Sequence, residues 1–479
     1  MMSSGESLPP HPHADLTVII SGLIVPSLGY GSYWSTSKLS KVANANEEGK
    51  VLTLFTAVVF PILFFSAGKG TKESMAQECS KSDEVVLGAE VGIVRVITLN
   101  RPRQLNVISP GVVYLLAQFL EKWEKDDDAK LVIFKGEGRA FSAGGDLKVF
   151  YQGRKDDSCL EVVYRMYWLC YHLHTYKKPT VALTNGIVMG GGSALVVPAK
   201  FSIVTEKTVR FLIFGMPEAS IGLHPDCSFS YILPRLPGYF GEFLALTGSR
   251  LNGKEMVAAE LATHFVPSEK LRELESALLD LSMNDENSIR SVIEKFSLDV
   301  QPDEESILNR LPTIDKCFCG ESVEEIIKLF QDEANMAGNE WIFPILKGLK
   351  RSSPTGLKIT LKSIREGRKQ TLAECLKKEF RLTMNLLRSV ISTDIYEGIR
   401  ALNIDKDNSP KWEPSNLQGV STEKVDLCFK PFQDELELQI PGDEASRWSG
   451  KYETTVYPSL KGKPDYLVSY VNDSSGTRN

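Results

Sequence analysis

The amino-acid sequence predicts an α/β fold in its middle part, followed by a mostly helical region. Between residues 85 and 271, short apolar segments of strand length alternate with longer amphipathic segments, which is typical of an α/β fold. After Leu271, charge density rises and helical periodicity dominates. The chain has 479 residues, which is more than one ordinary hydrophobic core accommodates. The predicted divisions are an N-terminal extension at 1–84, the core at 85–271, the helical region at 272–442 and a weakly ordered tail at 443–479.

Composition and charge exclude several classes of protein. The net charge is −6 and the isoelectric point is about 5.7, so no basic surplus is present to neutralise phosphate, and we expect no nucleic-acid partner. The eight cysteines lack the spacing of a disulfide scaffold, and we interpret them as reduced thiols of an intracellular protein. The carboxyl end carries no Ser-Lys-Leu peroxisomal signal, and mitochondrial, peroxisomal and cytoplasmic locations stay open.

The amino-terminal extension contains a segment that is almost wholly apolar. Residues 51–68 (VLTLFTAVVFPILFFSAG) are flanked by Lys50 and Lys69 and approach the length that crosses a bilayer. Pro61 in the middle weakens a helix there without excluding one. Met75 is an alternative start, in which case the mature protein lacks this segment. Membrane association therefore stays open at this stage.

The elements of the core are predicted from apolar periodicity and turn residues. Strands are predicted at 86–99, as two strands joined around 88–92, and at 131–134, 180–183 and 201–204; helices are predicted from Ser109 onward, at 161–176 and at 190–197. In the helical region, amphipathic helices are predicted at 324–337, 341–350, 354–367 and 372–390, with a long polar loop at 403–416.

The first candidate motif is residues 139–147 (RAFSAGGDL). Ala143, Gly144 and Gly145 lie between a buried strand and Asp146. Glycines let the backbone approach a ligand closely, and amides freed in such a turn can face an oxyanion. The alternative is a tight strand-to-helix turn without function.

The second candidate motif is residues 185–194 (NGIVMGGGSA), in which three consecutive glycines open a predicted helix. The first turn of a helix offers amides without acceptors and the positive end of the helix dipole. The alternative is close packing of a helix against a sheet. The glycine spacing does not match a dinucleotide fingerprint.

The third candidate motif is residues 216–235 (MPEASIGLHPDCSFSYILPR). Glu218 and Asp226 lie eight residues apart among apolar neighbours. A carboxyl group in an apolar pocket has a raised pKa and can act as a base, an acid or a nucleophile. The alternative for either residue is a helix cap. We interpret His224 as a structural loop residue rather than a catalytic one.

Together, these motifs resemble the crotonase superfamily and, within it, the 3-hydroxyisobutyryl-coenzyme-A hydrolases. The resemblance runs from about residue 86 to residue 412 and also includes LNRPRQLN at 99–106. Its last part, YEGIRALNIDKDNSPKW at 396–412, is specific to the hydrolase branch. The resemblance implies a crotonase-type ββα spiral core followed by a mostly helical region.

The resemblance also implies roles for individual residues. Ala143 and Gly191 would supply the two amide donors of an oxyanion hole. Glu218 would attack a thioester or activate water, and Asp226 would position a 3-hydroxyl group. The residues expected to contact the substrate or to line its coenzyme-A channel are Arg103, Leu105, Gly144, Gly145, Asp146 and Gly190. No metal and no separate cofactor are expected, because coenzyme A is part of the substrate.

The activity implied is the hydrolysis of short 3-hydroxyacyl-coenzyme-A thioesters, with 3-hydroxyisobutyryl-coenzyme A in valine breakdown as the leading substrate. One alternative is a non-catalytic structural subunit, since some plant members of the family resemble a component of the small subunit of the mitochondrial ribosome. Another is a hydratase or isomerase, but Ala194 occupies the place of the second glutamate that hydratases carry. A homo-oligomer stays open.

Three departures from the family pattern bear on the site. Met166 stands where animal hydrolases carry a substrate-side glutamate, so that contact is expected to be lost. Phe229 follows Asp226 where small residues are usual, and we expect it to narrow the acyl pocket. Residues 208–216 are about four residues longer than the pattern, which would displace Glu218 or be absorbed in a longer hairpin.

Overall fold

The computed structural model describes residues 85–155, 158–206, 214–282, 285–433, 436–441 and 447–448. All of them belong to one compact unit. The apolar segment at 51–68, most of the lengthened segment at 208–216 and most of the tail at 443–479 lie outside the described residues. Among the helices in the described part of the chain, none combines the length and the apolarity that crossing a membrane requires.

The described strands form two sheets. Their bounds are β1 Val86–Val91, β2 Val94–Leu99, β3 Leu131–Gly136, β4 Ala140–Ser142, β5 Thr180–Leu183, β6 Ile187–Met189, β7 Phe201–Val204, β8 Phe214–Gly215 and β9 His264–Phe265. The larger sheet has the order β1-β2-β3-β5-β7-β9, in which only the β1–β2 pair is antiparallel. The smaller sheet has the order β4-β6-β8 and is parallel.

From β3 onward, successive strands alternate between the two sheets. The chain passes from β3 to β4, from β5 to β6 and from β7 to β8, each time leaving the larger sheet for the smaller one. α-Helices follow β4, before the chain returns to the larger sheet at β5. Each new strand then pairs in parallel with the previous strand of its own sheet. Examples are Val181↔Phe201 in the larger sheet and Val188↔Phe214 in the smaller one. This arrangement confirms the ββα spiral that the family resemblance implies.

The α-helices of the described residues lie between and after these strands. Their bounds are α1 Pro110–Lys125, α2 Leu147–Gly153, α3 Ser158–His174, α4 Phe229–Ile232, α5 Phe240–Thr247, α6 Gly253–Ala258, α7 Leu271–Leu279, α8 Glu286–Phe296, α9 Leu311–Phe318, α10 Val323–Ala334, α11 Ile342–Arg351, α12 Pro354–Gly367, α13 Leu372–Leu387, α14 Asp394–Ile399 and α15 Thr422–Phe429. The four amphipathic helices predicted after residue 323 are confirmed as α10 to α13, with ends shifted by up to three residues.

Local chemistry explains the elements that were predicted correctly. The Ser109 side chain accepts from the amide of Val112, and Pro110 occupies the first helical position, so α1 begins where the sequence indicates. The two strands in 86–99 turn at Gly92, whose φ of +53° favours glycine. The buried strands predicted at 131–134, 180–183 and 201–204 are also confirmed.

The glycine turn and helix predicted at 190–197 are present as a short 3₁₀-helix, Gly190–Leu195, directly after β6. Gly190 has a φ of +50°, a backbone conformation that favours glycine. The outcome is a tight turn whose early amides remain near the end of a strand.

The helical region packs on the core through α13. The ring of Phe380 on this helix lies against the rings of Tyr164 and Tyr167 on α3, with centroids 5.9 and 6.1 Å apart. Both rings meet Phe380 edge to face, a favourable arrangement for aromatic pairs. The hydrophobic core is therefore continuous from the α/β part into the helical region.

Two residues of the predicted weakly ordered tail are firmly packed, so the prediction is wrong for them. The Arg447 guanidinium forms a bidentate ion pair with Glu124, at 3.0 and 3.2 Å, and both side chains are at most 5% exposed. The Trp448 indole donates to Glu124 at 2.6 Å and stacks on His172 with centroids 3.8 Å apart. The carboxylate of Glu124 on α1 thus holds the chain near residue 447.

Removing this anchor is expected to destabilise the fold. Arg447→Ala leaves the Glu124 carboxylate buried without its cation, which should lower the free energy of unfolding by roughly 3–5 kcal/mol, measured by urea denaturation. The matched control is Lys125→Ala, which breaks an ion pair with Glu121 on the surface of the same helix and should change little. Equal midpoints for Arg447→Ala and the unaltered chain would contradict the anchoring role.

Candidate active site

The candidate site lies at the carboxyl ends of the three short strands of the smaller sheet. Ala143 follows β4, Gly190 follows β6, and Glu218 comes three residues after β8. Because the strands are parallel, these ends share one edge of the sheet, where loops can build a site without competing for ladder hydrogen bonds. The three motifs singled out in the sequence therefore meet in space.

A cavity of about 200 Å³ opens at this edge. Most of its wall is apolar, with side chains from the loops, from α2 and α3 and from the helical region: Ile108, Phe150, Val162, Met166, Leu223 and Leu402. Two carboxyl groups, those of Glu218 and Asp226, also line it. The glycine motifs contribute backbone at Gly144, Gly145, Gly190 and Gly191. An apolar pocket with a few convergent polar groups is the usual form of a small-molecule site.

The amide of Ala143 is not free to bind an oxyanion, and this corrects the sequence prediction. It donates to the carbonyl oxygen of Leu105 at 2.9 Å. Among the described residues, the amide of Gly145 has no protein acceptor, and Gly191 lies in the first turn of a 3₁₀-helix, where amides have no partner within the helix. Gly145, predicted as a substrate contact, therefore fits the donor role better.

The two glycine loops and Glu218 approach each other closely. A Cβ atom on Gly191 would lie 3.9 Å from the amide nitrogen of Gly145. A Cβ atom on Gly190 would lie 2.6 Å from Oε1 of Glu218, closer than real Cβ atoms come to any neighbour. Two features thus require glycine at position 190: the backbone has a positive φ, and the carboxylate of Glu218 leaves no space for a Cβ atom. This close approach places an acidic oxygen next to the amides.

Glu218 is a buried acid with an unsatisfied oxygen. Its side chain lies at the start of the 3₁₀-helix Glu218–Ile221 and is 7% exposed. Its Oε2 is buried and has no hydrogen-bond partner within the described chain. Burial raises the pKa of this carboxyl well above its usual range, and the negative charge of Asp226 raises it further. Groups tuned in this way cluster at functional sites.

Asp226 is the second acid of the cavity and has a hydrogen-bond donor. Burial raises its pKa to about 6, while the hydroxyl of Tyr167, which donates to Oδ2 at 2.9 Å, partly offsets that rise. The side chain keeps some exposure because it faces the cavity. The two carboxyl groups therefore titrate as a coupled pair, in which ionised Asp226 raises the pKa of Glu218.

Three residues predicted to line the coenzyme-A channel do not line this cavity. Arg103 is exposed in the 3₁₀-turn Pro102–Gln104. Leu105 supplies the carbonyl that occupies the amide of Ala143. Asp146 caps α2 through the amide of Lys148 and pairs with Arg101 at 3.4 Å. In the described structure, Leu105 and Asp146 therefore hold the glycine turn in place.

The departures from the family pattern have different outcomes. Phe229 does not narrow the cavity, so that expectation is wrong: the left-handed backbone at Cys227 and Ser228 turns the chain, and Phe229 packs in the core against Phe214. Met166 does face the cavity and adds to its apolar wall. The lengthened segment leaves Glu218 in the cavity rather than displacing it.

Several site residues escaped the sequence analysis. Leu402, in the π-helical segment Arg400–Ile404 of the hydrolase-branch motif, contributes a 48% exposed side chain to the cavity wall. Tyr167 touches Asp226, and behind it lie Thr383 and Glu379 of α13. The last two lie more than 150 residues from Asp226 in sequence, so no local pattern could connect them.

His224 is buried behind the cavity rather than in it. Its Nδ1 faces the carbonyl of Pro225 at 3.1 Å and its Nε2 faces the hydroxyl of Thr383 at 3.0 Å. Burial lowers its pKa to about 4, so the ring is neutral at physiological pH. This placement fits a structural role. Among the described residues, no cluster of three or more histidine, cysteine or acidic side chains has the arrangement of a metal site.

Comparison with known proteins gives one family. The family model described as "Enoyl-CoA hydratase/isomerase" matches residues 94–429. The Arabidopsis thaliana "3-hydroxyisobutyryl-CoA hydrolase-like protein 5" is 65% identical over 391 residues, which are 81% of this chain and 100% of that protein. The "3-hydroxyisobutyryl-CoA hydrolase 1" of the same organism is 42% identical over 370 residues, 77% of this chain and 97% of that protein.

Other similarities widen the range of functions represented. The "Small ribosomal subunit protein mS47" of Arabidopsis thaliana is 41% identical over 355 residues, 72% of this chain and 86% of that protein. The crystal structure of a carnitinyl-CoA dehydratase from Mycobacterium thermoresistibile has a TM-score of 0.67 and 31% identity, and covers 75% of this chain and 100% of that one. Overall similarity therefore does not by itself separate these functions, and the site must do so.

The electrostatic coupling of the two acids can be measured directly. Asp226→Asn removes the negative charge that raises the pKa of Glu218, so the pKa of Glu218 should fall. The carboxyl stretch of the protonated acid, followed by infrared difference spectroscopy against pH, reports this value. The band is assigned to Glu218 by its loss in Glu218→Gln. An unchanged titration in Asp226→Asn would mean that the two carboxyl groups do not interact.

Proposed function

The chain belongs to the enoyl-CoA hydratase/isomerase family, and on that premise we propose that it hydrolyses short 3-hydroxyacyl-CoA thioesters. The favoured substrate is 3-hydroxyisobutyryl-CoA, which yields 3-hydroxyisobutyrate and free coenzyme A in valine breakdown. The observation that carries this proposal is the pairing of Glu218 and Asp226 in one cavity beside the free amides of Gly145 and Gly191. The names of the hydrolase relatives support the same reaction.

In the proposed reaction, the thioester carbonyl oxygen lies between the amides of Gly145 and Gly191. The two N–H groups stabilise the negative charge that develops there, a contribution worth roughly 3–4 kcal/mol for a single well-placed donor. Both amides belong to rigid turns next to strand ends, so little reorganisation accompanies the reaction. The apolar wall excludes water and strengthens these interactions.

Glu218 then acts on the carbonyl carbon. Its ionised carboxylate either adds to that carbon, so that the C–S bond breaks and water later opens the mixed anhydride, or takes a proton from water that adds directly. In both routes coenzyme A leaves as the thiolate and one molecule of water is consumed. In the direct route the acid product takes its new oxygen from water. In the covalent route, water that opens the anhydride at the carboxyl carbon of Glu218 leaves its oxygen on Glu218, and the product takes an oxygen of Glu218. A single turnover in ¹⁸O-water that labels Glu218 therefore identifies the covalent route.

Asp226 supplies specificity for the 3-hydroxyl group. As an anion near neutral pH it can accept a hydrogen bond from that hydroxyl, and a buried acceptor left without a donor disfavours substrates that lack it. The apolar wall around Met166 and Phe150 suits a short branched acyl chain. The proposed reaction needs no metal and no cofactor besides the coenzyme A of the substrate, so chelation should leave it unchanged.

Hydratase chemistry on the same fold fits the site less well. Water addition to an enoyl group uses two acids around the double bond, and the hydratase position after the glycine triplet is Ala194, which is buried away from the cavity. Conversion of an enoyl-CoA substrate, followed by its absorbance, should therefore be negligible beside thiol release. The seven described cysteines form no disulfide, which agrees with placing the reaction inside the cell.

The similarity to mS47 supports one rival, a structural subunit of a ribosome. The two proposals differ in what the cavity is for. An enzyme binds coenzyme-A esters as an isolated protein, whereas a structural subunit co-sediments with ribosomes and needs no ligand. Binding without co-sedimentation favours the hydrolase; co-sedimentation without binding favours the subunit.

The central test of the proposal is Glu218→Gln. The substitution keeps the size of the side chain but removes its basicity and nucleophilicity, so kcat should fall by roughly 100- to 10,000-fold. Free-thiol release from 3-hydroxyisobutyryl-CoA measures it. Glu269→Gln, on an exposed 3₁₀-turn, is the matched control and should retain full activity. Retained activity in Glu218→Gln would contradict the role of Glu218 as base or nucleophile.

The dependence of activity on pH follows from the two acids. Activity requires Glu218 as an ionised base or nucleophile and Asp226 as an ionised acceptor. Burial raises the pKa of Glu218 well above its usual range and that of Asp226 to about 6. As pH falls below about 6 both acids become protonated, so kcat/KM should fall by roughly tenfold or more for each further pH unit. A rate profile from pH 4.5 to 9 measures this acid limb. A profile that stays flat down to pH 4.5 is the contrary result.

A further inference from the structure

We propose that Tyr167 and Glu379 are positioning residues for Asp226, so that the helical region completes the active site from behind. This inference rests on the proposed function, because it assigns a role to Asp226 in recognising the substrate's 3-hydroxyl. Two independent contacts carry it, one through a chain of hydroxyl groups and one through the backbone turn after Asp226. Both lead to α13, which provides no residue of the cavity wall within the described chain.

The first contact is a chain of three side chains behind Asp226. Tyr167 donates to Oδ2 of Asp226 at 2.9 Å, and its oxygen lies 2.7 Å from the hydroxyl of Thr383. Thr383 in turn lies 3.0 Å from Nε2 of His224. Tyr167, Thr383 and His224 are each at most 2% exposed, so these bonds do not exchange with bulk water.

The donors in this chain can be assigned from the carboxylate at its near end. The hydroxyl of Tyr167 carries one proton, and the ionised carboxylate of Asp226 can only accept, so Tyr167 donates to Asp226. The oxygen of Tyr167 then accepts from the hydroxyl of Thr383, and Thr383 accepts from Nε2 of His224 when the ring carries its proton on that nitrogen. The chain therefore presents a donor to one oxygen of Asp226 and leaves the other oxygen for the cavity.

The second contact holds the backbone that carries Asp226. Both oxygens of the Glu379 carboxylate accept hydrogen bonds, from the amide of Ser228 at 2.8 Å and from that of Ser230 at 2.7 Å. Between Asp226 and these amides the chain is left-handed, with φ of +56° at Cys227 and +77° at Ser228. Such a conformation is unfavourable for residues other than glycine and persists only where its surroundings hold it.

A helix cap alone does not account for Glu379. The α4 helix that begins at Phe229 has only four residues, whereas Glu379 is fully buried and uses both oxygens on the strained turn. Burying a carboxylate is unfavourable unless its bonds stabilise something else. The hydrogen bonds of Glu379 stabilise the turn at Cys227 and Ser228, which orients Asp226 and directs Phe229 into the core.

Several titratable groups surround Asp226 and must be considered in any test that varies pH. They are Glu218 across the cavity, Cys227 next in sequence, Tyr167 and Cys170 on α3, and Glu379 on α13, which is preceded by Lys378. Burial raises the pKa of the Cys170 thiol, and the hydrogen bond with Cys170, together with burial, raises that of Cys227, so both thiols keep their protons near neutral pH. Between pH 5 and 8 the relevant neighbours are therefore the acids.

The first test uses Tyr167→Phe, which removes one oxygen and keeps the ring contact with Phe380. Losing a donor to the ionised form raises the pKa of Asp226, so the acid limb of kcat/KM should move upward by about one pH unit and kcat at neutral pH should fall roughly tenfold. The matched control is Tyr164→Phe, whose ring packs on Phe380 from the same helix but does not line the cavity. The control should leave both quantities unchanged.

The second test uses Glu379→Gln, which keeps one acceptor and turns an NH₂ group toward an amide donor. The turn that orients Asp226 is then held less firmly, while the residues that line the cavity are unchanged. We therefore expect kcat to fall roughly tenfold and the Kd of free coenzyme A to stay the same. Parallel losses of activity, coenzyme-A affinity and thermal stability would show a general packing role and overturn the inference. Unchanged kcat in both Glu379→Gln and Tyr167→Phe would also overturn it.

Binding separates this inference from the proposed function. The probes are two stable thioethers of coenzyme A, one with a 3-hydroxyl group on its acyl chain and one without. The unaltered protein should prefer the hydroxylated probe, and Tyr167→Phe should reduce that preference roughly tenfold. If the protein hydrolyses nothing but shows this pattern, the hydrolytic proposal fails and the positioning role stands. If hydrolysis occurs and the preference is the same in Tyr167→Phe, the positioning role fails alone.

Discussion

The parallel pairing of three very short strands, β4, β6 and β8, is the constraint on which the site depends. None is longer than three residues, so the small sheet has little stability of its own. It exists because each strand continues from a strand of the larger sheet, whose buried ladder fixes where the chain emerges. Only three residues join β5 to β6, so a shift of one residue in β5 would carry through to β6 and separate the amide of Gly191 from Glu218. The chemistry is thus positioned by the larger sheet.

The helical region adds a second constraint, which acts on charge. In the largely apolar cavity, burial and the negative charge of Asp226 raise the pKa of Glu218, and a third buried acid, Glu379, lies behind this pair. Such a group of carboxyl groups is tolerable only if each has a defined set of donors. Tyr167 and the amides of Ser228 and Ser230 supply donors to two of the three. Glu218 keeps a buried oxygen, Oε2, without a partner in the described part of the chain, and that oxygen belongs to the acid that faces the reacting carbon in the proposed reaction.

Much of the fold could be predicted from the sequence, because local periodicity and capping residues indicate strands such as 180–183 and helices such as 354–367. Two classes of feature could not. The first depends on backbone conformation: the sequence does not show that Leu105 occupies the amide of Ala143, or that positive φ at Cys227 sends Phe229 into the core. The second depends on distant contacts, such as Arg447 with Glu124, which no local pattern encodes. The two acids were singled out through the family resemblance, because the local pattern alone left a helix cap as the alternative for either residue.

The substitutions after Asp226 show how the two constraints meet. Glycines would adopt the left-handed turn at little cost, but their wide range of allowed backbone conformations would hold Asp226 less firmly. Cys227 and Ser228 disfavour this conformation by roughly 1–3 kcal/mol each, and the hydrogen bonds of the Glu379 carboxyl group offset that cost. A strained turn held by a buried carboxyl group has few alternative conformations, so it fixes the direction of Asp226 more narrowly than a relaxed one. The strain at this turn therefore fixes the orientation of Asp226 toward its ligand. Because Glu379 belongs to α13, the same contact also links the α/β core to the helical region.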